Sequence, residues 1–240
     1  MDDNLILEKL NMFGMTRQEA TIYLCLFQNG ELTGYEVAKQ TGISRSNVYS
    51  GLSALAEMGA AYVAEGSTSK YVAVPIKEFC TNKIRSLNKE KEYLIQNIPD
   101  MKEREIGYIT ISGSKNIEDK IINMIKEAQL RIYLSASVSK INELENELLE
   151  VIEKGYKLVL ITDGEIRNAA IRNESIYYQG NKKENSVRLI IDSKYALTGE
   201  LSGRKDDTCL YTGQENFIKI FKDALRNEMQ LIELTKGELK

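Results

Sequence analysis

The 240-residue chain contains no histidine. That absence removes imidazole as a general base, a nucleophile and a metal ligand. Tryptophan is missing too, and 2 prolines are too few for a Pro-rich spacer. The 3 cysteines, Cys25, Cys80 and Cys209, lie far apart and fit no metal-ligand spacing. Reduced structural thiols are the expectation for all three. No apolar run is long enough to span a bilayer. The opening Met1-Asp2-Asp3-Asn4 lacks the basic and apolar regions of a secretory leader. A cytoplasmic protein without membrane, metal or cofactor is expected. Excess positive charge is also missing: 32 Lys+Arg stand against 35 Asp+Glu, a net of −3. Asp163, Glu165 and Asp192 fall near strand-like segments, but Asp is a common turn residue there. No enzyme is expected.

What is present supports two globular domains, with 42% hydrophobic residues in a chain of this length. Residues 33–59 read TGYEVAKQTGISRSNVYSGLSALAEMG. Tyr35, Val37 and Ala38 supply the apolar face of one short helix, and Gly42 ends it in a left-handed turn. Ser44 is placed to cap a second helix. Val48, Leu52, Leu55 and Met58 recur at helical spacing, so that helix buries one stripe and ends at Gly59. Arg45, Ser46, Asn47, Tyr49 and Ser50 remain on its other side, where they can bond phosphates or base edges. Two helices joined by a tight turn also occur as plain structural corners, so the segment after Gly59 decides. Residues 62–64 and 71–74 are β-prone and flank Glu65-Gly66-Ser67-Thr68-Ser69-Lys70. The pair predicts a hairpin with a projecting tip, whose Ser67, Thr68, Ser69 and Lys70 can reach DNA backbone. Upstream, helices are predicted over 5–13 and 17–28. Thr16 and Glu19 are spaced for a capping box, and Ala20, Tyr23, Leu24 and Phe27 are expected under the core.

These residues resemble the TrmB-like transcriptional regulators. The marks are the "LT..EAxIYxxL" helix character, the S-R-S-x-V-Y-x-x-L-x-x-L helix and the wing ending K-Y-V-A-V-P. The resemblance implies a winged helix-turn-helix that binds double-stranded promoter or operator DNA as a homodimer, commonly with a C-terminal effector-sensing part. The expected DNA contacts are Thr33, Ser44, Arg45, Ser46, Asn47, Tyr49, Ser50, Ser67, Thr68, Ser69 and Lys70. Charge argues against tight binding: residues 1–78 hold six basic and nine acidic side chains, while DNA affinity leans on phosphate neutralisation. A second class therefore stays open, a protein-interaction or scaffold module whose winged helix is not used on DNA.

From Pro75 to about Arg104 the chain reads as one helix. Cys80, Ile84, Leu87, Lys91, Leu94, Ile98 and Met101 form a heptad seam with one polar interruption. Ile84, Leu87, Leu94 and Ile98 are the expected dimerisation residues, with Pro99 disturbing the far end.

A second domain is expected from Ile106. Strands are predicted over 108–111, 130–136 and 157–162, with helices over 116–128 and 141–154 between them. That order suggests parallel pairing. Strands over 187–191, 195–200 and 209–212 come next as a meander. A closing helix over 215–233 packs through Phe217, Ile220, Phe221, Leu225 and Met229. The element order and RLIIDSKYALTGEL resemble a phospholipase-D-like domain. Enzymes of that superfamily carry H-x-K-x-x-x-x-D, and anchoring on Asp192 puts Asn185 and Val187 at its His and Lys positions. Neither can do that chemistry. Ligands of open α/β sheets sit beyond the strands' carboxyl ends. Ser135, Ser137, Thr162, Asp163 and Asp192 are thus the candidate effector contacts, suited to a polar molecule such as a sugar. The plain alternative is that this domain only widens the dimer interface. The expected layout is 1–76 winged helix-turn-helix, 77–105 helical coiled-coil connector and 106–240 α/β sensor or dimerisation domain, an α/β fold overall.

Overall fold

A computed structural model describes residues 3–64, 66, 68–99 and 107–238, and the chain divides into two units, Met1–Asp100 and Met101–Lys240. In the first unit, α1 (Asp3–Met12) leads into α2 (Arg17–Asn29). The Thr16 hydroxyl accepts from the Glu19 amide, and the Glu19 carboxylate accepts from the Thr16 amide at 2.8 Å. The capping box is as expected. The buried side of α2 is not: Phe27 is exposed and Leu24 only half-buried, while Ile22, Cys25 and Leu26 join Ala20 and Tyr23 inside. This helix packs against α1, α3 (Gly34–Thr41) and α4 (Arg45–Glu57). Its buried arc is therefore wider than a single stripe.

Gly42 takes φ 71° after α3, and Gly59 takes φ 75° beyond the Met58 cap of α4. Both need the left-handed region that glycine enters freely. Val48, Leu52 and Leu55 are fully buried along α4. Ser44 occupies the N-cap position, yet its hydroxyl bonds no helix amide and lies 3.4 Å from the Ser46 hydroxyl instead. The wing is β2 (Ala61–Ala64) paired antiparallel with β3 (Lys70–Ala73). A third strand, β1 (Leu32–Thr33), adds to β3 in the order β1-β3-β2. Two residues carry no readable period, so β1 was not foreseen. α5 (Ile76–Asn97) comes after the wing, rooted by buried Phe79. The Tyr23 hydroxyl donates to the Val74 carbonyl at 2.8 Å just before it. α5 stops at Asn97, short of the predicted 104. Ile98 is extended (φ −96°, ψ 114°), as a residue preceding proline prefers. Met101, Arg104 and Ile106 lie outside the described residues.

The second unit is built on a seven-stranded sheet. Its elements are β4 (Tyr108–Ser112), α6 (Ser114–Glu127), β5 (Arg131–Ser135), α7 (Val138–Glu143), α8 (Glu145–Glu153), β6 (Lys157–Thr162), α9 (Ala169–Glu174), β7 (Ile176–Gln179), β8 (Ser186–Ile191), β9 (Tyr195–Glu200), β10 (Thr208–Thr212) and α10 (Glu215–Glu238). The strand order is β4-β10-β9-β8-β5-β6-β7. Parallel pairing is confined to β5–β6 and β6–β7. β4 is an edge strand antiparallel to β10, not the parallel partner of β5 that element order suggested. The helix predicted over 141–154 is two helices, broken at Leu144.

Side chains alternate across the sheet. Ile132 and Leu134 of β5 and Val187, Leu189 and Ile191 of β8 pack with Ile117, Ile121 and Met124 of α6. Ile161, Ile190 and Ala196 face the other way, against Ile218, Leu225 and Ile232 of α10. The buried stripe of α10 thus centres on 218, 225 and 232. Phe217, Phe221 and Met229 flank it, and Ile220 is 69% exposed rather than packed.

Candidate nucleic-acid interface and effector end

Ser44, Arg45, Ser46, Asn47, Tyr49 and Ser50 are all exposed over the first two turns of α4. Val48, between them, is buried and fixes which way that face looks. The Arg45 guanidinium carbon lies 4.5 Å from the centroid of the Tyr35 ring. Tyr35 is therefore a surface residue, half exposed, and not part of the apolar face of α3. Its ring aims the guanidinium, a contact of about 0.5–1 kcal/mol at an exposed site. Tyr49 lies over Gly34: a Cβ at Gly34 would stand 2.6 Å from the Tyr49 ring.

Two expected contacts have other employment. The Thr33 hydroxyl donates to a Glu36 carboxylate oxygen at 2.8 Å and accepts from the Glu36 amide at 3.3 Å, which caps α3. The Thr33 amide bonds the same carboxylate, and this holds Glu36 below the usual carboxylate range. Lys70 is the first residue of β3 rather than part of the tip, and its ammonium pairs with Glu31 at 3.6 Å. Thr68 and Ser69 are exposed in the connecting turn; Ser67 lies outside the described residues.

In the second unit, Ser135 and Thr162 end β5 and β6 and are both buried. The Ser137 hydroxyl accepts from the Lys140 amide and caps α7. The Asp163 carboxylate accepts from the Val138 and Lys183 amides, each at 2.9 Å. Burial works to raise Asp163, but these amide bonds outweigh it and its carboxyl sits below the usual range. All four lie at the carboxyl ends of β5 and β6, but not on one face. Ser135, bonded by Arg188, is on the α10 side with Tyr133, whereas Thr162 keeps the alternation of Leu158 and Leu160 on the α6 side. Asp192 does not join them. β8 runs antiparallel to β5, with Ile191 opposite Ile132, so Asp192 is carried to the start of β5. There it accepts from the Gln129, Leu130 and Arg131 amides at 2.8–2.9 Å.

Sequence reasoning missed a charged group on the α10 face. Lys183 and Arg188 both pair with Glu228 of α10, and Arg188 donates to the Ser135 hydroxyl at 3.2 Å. Their positions around Asn185 and Val187 were the available signal. Val187 itself is in the core. Burial pushes the Cys25 and Cys80 thiols up and Cys209 to about 11, so all three are weak nucleophiles at neutral pH. Among the described residues no His/Cys/Asp/Glu group is arranged to hold a metal ion. No helix among them is long and apolar enough to cross a membrane.

Residues 10–77 match the family described as sugar-specific transcriptional regulator TrmB. Residues 107–227 match the N-terminal EBD subdomain of transcriptional regulator TrmB. The uncharacterized protein YrhO of Bacillus subtilis (strain 168) is 27% identical over 245 residues, covering 98% of this chain and 88% of YrhO. The HTH-type sugar sensing transcriptional regulator TrmBL1 of Pyrococcus furiosus is 28% identical over 163 residues, covering 65% of this chain. The chain spans 46% of TrmBL1, about half its length. Among solved structures, TrmBL2, an archaeal chromatin protein, is 20% identical with a TM-score of 0.47, covering 95% of this chain and 98% of that one. NucT from Helicobacter pylori is 16% identical with a TM-score of 0.43, covering 52% of this chain and 97% of its own. By its two family matches, which take up most of its length, this chain belongs to the TrmB family of transcriptional regulators.

Proposed function

We propose that this chain binds promoter DNA as a homodimer in the cytoplasm and that its second unit senses a small molecule. The observation that carries the DNA reading is the start of α4: Arg45 held over Tyr35, with Asn47, Tyr49 and two serines exposed beside it. A helix presenting such groups fits a major groove. The proposed layout keeps 1–76 as the DNA-binding part, 77–105 as connector and 106–240 as sensor. Dimerisation is supported by Ile84, Leu87 and Leu94, each at least half exposed along α5. Ile98, past the end of that helix, is exposed as well. Asn185 and Val187 speak for sensing over catalysis, since neither offers a nucleophile or a charge. Ser137 and Asp163 beyond the strand ends, with Ser135 on one face of the sheet and Thr162 on the other, are the polar groups that support a ligand such as a sugar at the carboxyl ends of β5 and β6.

One observation favours the protein-interaction reading instead. Glu31 takes the Lys70 ammonium, so the wing offers DNA little net positive charge. Binding to the chain's own upstream promoter fragment, measured with and without Arg45→Ala, separates the two. Salt-sensitive binding by the wild type, weakened roughly tenfold or more by Arg45→Ala, is expected for loss of a charged contact. No binding to any promoter fragment sinks the regulator reading. Binding indifferent to Arg45→Ala sinks the recognition-helix assignment.

A further inference from the structure

A cavity of about 120 Å³ opens in the second unit between α6, α7 and the end of β5. Leu134, Ala136, Val187 and Leu201 form its floor, and Ile121 closes one side; all five are buried. Charge is confined to the mouth. There the Lys140 ammonium stands 3.3 Å from the Glu118 carboxylate and 2.9 Å from that of Glu143. The side chains of Lys140, Glu118 and Glu143 are 23%, 41% and 54% exposed, so the mouth reaches solvent. Burial works to lower Lys140, but the two carboxylates outweigh it and keep the amine protonated. One ammonium against two carboxylates leaves the mouth at −1. Glu118 also accepts from the Ser114 hydroxyl and Glu143 from that of Ser139, and each carboxylate still keeps acceptor sites these donors do not fill.

The lining decides the ligand class. A sugar would carry hydroxyls onto a floor of aliphatic side chains, where they find no partner and cost more than their carbons recover. A flat apolar body suits the space: at about 120 Å³ it is somewhat smaller than an engineered apolar cavity of about 150 Å³ that takes benzene, and its mouth, open to solvent, makes room for the rest of a ring. A mouth of net negative charge adds a preference for a cation over an anion. We propose that this cavity binds a small primary amine with an apolar body about the size of a benzene ring, its ammonium beside that of Lys140 at the mouth, on the Glu118 and Glu143 oxygens that Lys140 does not hold. The Ser137 cap fixes the first turn of α7, which places Lys140 at the mouth. The site adjoins the Ser135–Asp163 end, since Ala136 of its floor lies between Ser135 and Ser137, but the Ser135 hydroxyl is turned away from it to Arg188. It rests on the sensor reading only for its effect on DNA binding.

Isothermal titration of the full chain with benzylamine, benzoate and D-glucose tests it. Benzylamine is expected to bind with a Kd near or below about 1 mM, as a ligand of its size can. Benzoate should bind at least tenfold more weakly, and glucose should leave this site empty. Glu118→Gln, at a position open to solvent, should weaken benzylamine roughly tenfold with the melting temperature unchanged. Ala136→Leu, which fills the floor, should abolish binding. Benzoate binding as well as benzylamine, or benzylamine indifferent to Glu118→Gln, overturns the proposal. So does glucose binding that Ala136→Leu removes. Benzylamine binding that leaves promoter affinity unchanged upholds the cavity and counts against the sensor reading. No benzylamine binding overturns the cavity, while a promoter response to another metabolite keeps the sensor reading standing.

Discussion

Gly34 has no side chain, and the Tyr49 ring uses the space. The backbone there is not left-handed, so alanine fits the chain and only the ring must move. Gly34→Ala is expected to shift the melting temperature by no more than a few degrees while promoter affinity falls severalfold. Unchanged affinity in a mobility-shift titration would take Tyr49 out of the contact. The same scale shows what residue type alone does not settle. Thr33 and Ser46 look equally available in the sequence. Only the fold reveals that the Thr33 hydroxyl is spent on the Glu36 cap. Lys70 was legible as a wing cation, but its pairing with Glu31 depends on β1 lying beside β3. That strand is too short to announce itself.

Helices and hairpins were legible where local chemistry marks their ends. The Thr16–Glu19 box and the left-handed Gly42 are examples. Partnerships between elements were less so, because a strand's neighbour is chosen by the whole sheet. β4 was expected beside β5 and lies at the far edge. A different pairing, β8 antiparallel to β5, carries Asp192 away from the proposed ligand end and makes it a clasp on the chain entering β5. Burial alone would raise its pKa, but three amide bonds dominate and hold the carboxylate below its usual range. A carboxyl lowered on folding stabilises above the unfolded value of about 4 and loses that contribution as pH falls through the folded one. Asp192→Asn should therefore cost about 1–3 kcal/mol at pH 7, and the gap from wild type should narrow below about pH 4. Denaturant melts of both proteins at pH 7 and pH 3 check this. α5 carries the other prediction of this scale. Leu87 is 57% exposed on it, so Leu87→Asp should turn a sedimenting dimer into a monomer. A dimer that survives the substitution removes α5 from the interface.

Charge is a property of the whole molecule. At −3, with six basic side chains in residues 1–78, the chain has few cations to lay against phosphates. Each neutralised phosphate adds about 0.9 to the salt slope. Arg45 and Lys70 from two protomers set a log-log slope no steeper than about −4. A slope near −10 across a salt titration would mean that the contact surface is much larger than α4 and the wing. Such long-range balances can be counted from the sequence, whereas the aim of each charge cannot. α5 adds one mechanical consequence. Its first turn is rooted by Phe79 and by the Tyr62 hydroxyl donating to Glu78 at 2.8 Å, while from Ile84 onward it stands exposed. Its 22 residues make a rod of about 33 Å. A tilt of about 10° at the root sweeps the far end by about 6 Å, roughly one helical turn. The helix is thus a lever with a short arm in the wing and a long one outside it. A large displacement at the tip reaches the root at Phe79 and Glu78 geared down to the scale of a single hydrogen bond.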